Sequence, residues 1–187
     1  MKQDDDIKIF TPTASLPEPD DLDELAVLAQ LHRANGNLDR AKALGERLAQ
    51  ISVNTPELRD MTEEARFDLT PSHEQQLRVL MVFSAHTALE AILTPSLLAD
   101  AARTAMNESF IVHAGTFWNS VSDGRVFTQY LLAIRMPLDL PAQARRVGET
   151  FAGICGQEDN PELIALGANV FQKTHTFISE TWRPASA

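Results

Sequence analysis

The chain has 187 residues, 44% hydrophobic and 22% charged, with a net charge of −10 and one cysteine. That length suits one ordinary domain, and that composition excludes wholesale disorder. One cysteine excludes a disulfide framework, a multi-thiolate metal site and a CxxC redox centre.

The acid is concentrated at the start. Residues 1–24 hold eight acidic residues (Asp4, Asp5, Asp6, Glu18, Asp20, Asp21, Asp23 and Glu24) against Lys2 and Lys8, so they carry six of the ten net negative charges. Pro12, Pro17 and Pro19 fall in the same stretch. Proline without periodic apolar residues predicts an extended, acidic arm over residues 1–20, with a strand conceivable only at 7–10. An arm of this kind is either a loose tail or a segment that docks on a partner or a neighbouring subunit. The first residues are acidic and no apolar signal region follows, so a cytoplasmic location is expected. No apolar run approaches a membrane span, and no membrane association is expected.

A helical body is expected over 21–183, followed by a short tail, 184–187. The first helix is predicted over 21–34, with Leu22, Leu25, Leu28, Ala29 and Leu31 as an apolar stripe. Asn35-Gly36-Asn37 breaks it. The second covers 38–51, with Leu38, Ala41, Leu44, Leu48 and Ile51 on one face.

Further helices are announced by a capping residue followed by proline, which suits a helix start because its missing N–H costs nothing there. Thr55-Pro56, Thr70-Pro71, Thr94-Pro95 and Asn160-Pro161 have this form. They predict helices over 56–67, 71–93, from 95 to near 106 or beyond, and over 161–181. The stretch 107–135 holds β-favouring residues without sustained alternation, and predicts two helices broken near Ser122-Asp123-Gly124. Another helix is predicted over 141–154. The expected class is all-α: a single-domain antiparallel bundle or irregular helical array of about eight to nine helices.

The first two helices, residues 22–52, resemble a single tetratricopeptide-type hairpin. The likeness rests on Leu25, Ala29, Gly36, Leu38 and Ala41. The sequence departs from that pattern at Gly45, where a large apolar residue is expected, and at Leu48, where a small one is. No second copy follows at a 34-residue period. The resemblance implies a protein-binding scaffold; a plain helical hairpin is the other reading.

Familiar catalytic signatures are missing. The sequence has no GxxxxGK[ST], GxGxxG, GxSxG or HExxH, and no Glu-x-x-His of a di-iron bundle. No helix clusters Lys and Arg with polar base-reading residues, so no nucleic-acid partner is expected. No cofactor is implied.

Two constellations could still form a binding site. His86 and Glu90 lie one turn apart in an apolar helix. They could be a metal-ligand pair or a base with its orienter, or simply a polar pair at a helix contact. His113 and Trp118, with Phe117, could line a pocket or pack in the core. Arg145-Arg146 reads as a solvated pair. Cys155 lies at a helix C-terminus, the wrong end to lower a thiol pKa. Ala99, Ala101, Ala102 and Ala105 should allow close helix approach. Two functions are therefore expected in competition. One is association with another protein or with itself. The other is binding of a small molecule or metal near His86, Glu90, His113 and Trp118.

Overall fold

The structure is a computed structural model, and it describes residues 19–54, 69–122 and 124–183. It is all-helical over these residues. Eight helices are described: α1 Pro19–Ala34, α2 Asn37–Val53, α3 Pro71–Ile92, α4 Ser96–His113, α5 Gly115–Ser122, α6 Arg125–Ala133, α7 Leu140–Ile154 and α8 Pro161–Thr181. The helix expected over 56–67, nearly all of the acidic arm with its conceivable strand, and the tail at 184–187 lie outside the described residues.

Several starts follow the capping chemistry. The Thr70 hydroxyl accepts from the His73 N–H at 3.2 Å, and the His73 ring reaches back to the Thr70 N–H, a reciprocal pair that satisfies two terminal donors. Asn160 Oδ1 accepts from the Glu162 and Leu163 N–H groups at 3.0 and 3.3 Å. Asp139, two residues before the expected start, caps α7 through the Ala142 N–H. Thr94 does not cap α4. Pro95 itself occupies the cap position, and its carbonyl accepts from Leu98. Gly36 (φ 75°) and Gly124 (φ 70°) make the left-handed turns that start α2 and α6.

The long central helix is α3. From Leu77 to Ala85 every side chain except Arg78 is buried, as a helix in mid-core must be. It divides its faces between two apolar clusters. Val79, Val82, Ala85 and Leu89 join α2, α4, α5 and the end of α8. Leu77, Leu80, Met81 and Phe83 join α6, α7 and α8. Phe127 and Phe177 touch both clusters.

The most extensive helix contacts are α7 with α8, α2 with α4, and α3 with α8. Two of the three lack a Cβ at the crossing. A Cβ on Gly45 would overlap the backbone carbonyl of Ala102, and one on Gly148 would overlap the carbonyl of Ile164. On the facing side of the second crossing, a Cβ on Gly167 would come within 2.9 Å of the Phe151 Cβ.

The apolar stripe on α1 is only partly covered: Leu28 and Ala29 are half-buried, whereas Leu25 and Leu31 are both 46% exposed. Among the described helices, the one substantial neighbour of α1 is α2. The helix expected from 95 to near 106 or beyond ends at His113. Ala102, Met106 and Phe110 recur every four residues and are all buried, so one apolar face holds the helix together past its β-favouring residues.

Candidate functional site

Helices α3 and α4 are joined by only three residues, and each brings two polar side chains one turn apart to their contact. From α3 come His86 and Glu90; from α4 come Arg103 and Asn107. Arg103 is the centre of the exposed side. Its Nη1 lies 3.7 Å from Glu90 Oε2, and its Nη2 pairs with Asp100 on its own helix.

His86 sits deeper. Its ring meets Phe127 of α6 edge-on, with centroids 5.9 Å apart and planes at 83°. Burial holds the imidazole below its ordinary pKa, and the Arg103 guanidinium adds to that effect. Asn107 and, more weakly, Glu90 act the other way. His86 is therefore a neutral imidazole at neutral pH. Asn107 favours its protonated form, yet His86 Nε2 and Asn107 Oδ1 are both buried without a completed hydrogen bond. This is a polar inclusion in an apolar wall: a neutral imidazole beside an amide, under an ion pair.

Glu90 does not orient His86 through a hydrogen bond, because its carboxylate turns outward to Arg103. His113 is the last residue of α4 and is exposed. The helix breaks at Ala114, so His113 does not share a helical face with Phe117. Trp118 stacks on Phe110, with centroids 5.9 Å apart and planes at 18°, and Phe117 meets the same ring edge-on at 5.6 Å. The ring contacts thus put Trp118 on Phe110 and His86 on Phe127, two separate pairs. Of the four candidate residues, His86 and Glu90 share a neighbourhood through Arg103. Sequence reasoning missed Arg103 and Asn107. Their four-residue spacing on an alanine-rich helix was the available signal.

No family model, curated protein or solved structure matches this chain.

What the residues can do is therefore read from their chemistry alone. Among the described residues, no group of three or more His, Cys, Asp or Glu side chains converges on a point where a metal could sit. No described helix is long and apolar enough to cross a membrane. Cys155 caps the end of α7, and burial pushes its thiol up to about 11.

The described surface carries more apolar exposure than packing requires. Leu131 (54%), Leu132 (61%), Met136 (60%) and Leu140 (39%) lie within ten residues, across the α6–α7 connection. A groove of about 500 Å³ lies between the same two helices, with Gln129 and Ala133 on one wall and Thr150 and Ile154 on the other. Arg146, Glu149 and Glu158 also line it. Leu132 follows Gln129 by three residues and so shares its side of α6.

Proposed function

We propose that this protein is an association module, and that the α6–α7 surface is where it meets another polypeptide. The observation that carries this reading is the run of exposed Leu131, Leu132, Met136 and Leu140. Large apolar side chains scattered singly over a surface need no explanation, but four exposed within ten residues are a local concentration, and concentrated apolar exposure is what marks interaction sites. The charged lining of the neighbouring groove supplies the polar rim that such interfaces have.

A second copy of the chain is the first partner to test, because an apolar patch is complementary to itself across a two-fold axis. Light scattering and sedimentation velocity over a wide concentration range should give a mass that rises towards twice that of one chain. Leu131→Ser combined with Leu132→Ser should hold the protein at one chain. A strict monomer that also retains no partner in cross-linking overturns the proposal. A monomer that retains a partner through the leucines keeps association and replaces the second copy.

A further inference from the structure

Helix α1 carries an exposed face of its own. Asp23, Val27 and Leu31 follow one another at four-residue spacing, and Glu24 stands three residues before Val27, so the four share one side of the helix. All four are exposed, Val27 at 67% and Leu31 at 46%. The half-buried Leu28 and Ala29 lie on the other side. The outward face therefore has two acids in its first half and two large apolar side chains in its second.

The α6–α7 surface has the reverse order. Leu131 and Leu132 lie in the last turn of α6, and Arg135, also exposed, follows just beyond it, beside Met136. The Arg135 backbone N–H donates to the Leu132 carbonyl at 3.4 Å, which keeps the arginine within one turn of the leucines. Laid antiparallel to α6, α1 sets Val27 and Leu31 against the leucines and Asp23 and Glu24 beside Arg135. The same arrangement brings the positive N-terminal end of α1 to the negative C-terminal end of α6. Asp139, four residues after Arg135, already accepts from the Ala142 N–H as the cap of α7. The patch laid on its own copy instead brings two Arg135 guanidiniums into one interface, where like charges oppose docking.

We infer that the α6–α7 surface receives helix α1 of a second copy, with the apolar half of α1 on the leucines and its acidic half on Arg135. This rests on the reading that a second copy associates through the α6–α7 surface, and it names the face which that copy presents. One face of four residues is smaller than the about 800 Å² per partner of a standard interface. Made reciprocally about a two-fold axis, the contact occurs twice and closes at two chains.

Sedimentation velocity on the full chain over a concentration series tests it. Val27→Ser with Leu31→Ser should hold the protein at one chain. Both positions are exposed, so the helical circular dichroism should not change. Asp23→Arg with Glu24→Arg should weaken pairing at least tenfold, and so should Arg135→Glu. All three reversals together should restore pairing to within about threefold of wild type, because each charge meets its opposite again with the signs exchanged. That rescue also separates lost docking from simple fraying of α1, which Arg135→Glu does not repair. A wild type that pairs, and is disrupted by Leu131→Ser with Leu132→Ser but by neither change on α1, overturns the docking of α1 and leaves association through the α6–α7 surface standing. A triple reversal that pairs no better than Asp23→Arg with Glu24→Arg alone overturns it as well. A wild type that stays at one chain at every concentration overturns the docking of α1 together with the second copy itself.

Discussion

Gly45 of α2 lies so close to the carbonyl oxygen of Ala102 on α4 that no side chain fits between them. Ala99, Ala102 and Ala105 continue the small-residue face of α4, and Ala41 and Ala49 flank Gly45 on α2 one turn away in each direction. The departure at Gly45 from the tetratricopeptide-like pattern thus has a physical cause. That position faces a close crossing with α4 rather than a gap that a large side chain would fill.

Gly45→Ala should therefore be severely destabilising, by about 3 kcal/mol or more, because the neighbour it meets is backbone and cannot rotate away. Gly153→Ala is the matched control. Its Cβ would meet only the end of the Glu158 stem at 3.6 Å, in a helix where alanine outranks glycine, so a gain of about 0.5–1 kcal/mol is expected. Urea midpoints at constant m-value would measure both. Equal, small effects at the two positions would show that α2 and α4 do not cross here.

How far the sequence discloses this fold depends on how local the cause is. Thr70-Pro71 and Asn160-Pro161 specify helix starts within four residues, and both starts are where those residues indicate. Thr94-Pro95 has the same form, yet Pro95 takes the cap position, because the short α3–α4 connection fixes where α4 can begin. The stripe on α1 is legible as a stripe, but no local signal says whether a partner covers it. The site divides in the same way. His86 and Glu90 stand out as polar residues in an apolar helix. Arg103 and Asn107 gain meaning only once α3 and α4 are known to pack together, which is tertiary information.

Tyr130 shows how a buried polar atom can be a cost. Its ring is fully buried and stacks on Phe83, with centroids 5.0 Å apart, and its hydroxyl has no hydrogen-bond partner. Burial, with the nearby Cys155 thiol, pushes the phenol well above its usual range. Tyr130→Phe keeps the ring and removes the unsatisfied group. It should raise stability by about 1 kcal/mol, read as a higher urea midpoint. A loss of similar size would reveal a bond that the hydroxyl makes in solution.

Cys155 should be a slow nucleophile. With its thiol pushed up to about 11, two units above its ordinary 9.0, the thiolate fraction at pH 8 is about a hundredfold lower than for a free thiol. Alkylation by iodoacetamide in the native protein should lag a small thiol by at least that factor, and unfolding in urea should abolish the lag. Native alkylation at the small-thiol rate would mean that the end of α7 opens readily.

The two histidines held low by burial make stability fall with acid. Desolvation is the main cause at both His86 and His175, and Arg103 adds to it at His86. The Phe171 carbonyl, 3.0 Å from His175 Nδ1, opposes the shift without cancelling it. A histidine whose folded pKa lies below its unfolded 6.5 binds more protons when unfolded, so stability rises with pH through that window. Its contribution is full above 6.5 and is lost as pH falls towards the folded values, at no more than about 1.4 kcal/mol per pH unit for each ring. Carboxylates titrate mostly below pH 5, so urea unfolding between about pH 5.5 and 7.5 isolates the histidines. The wild-type midpoint should drop across that range. His86→Gln with His175→Gln, which keep a neutral polar group at each position, should flatten the profile. A double variant as steep as wild type would overturn the assignment of the acid sensitivity to His86 and His175.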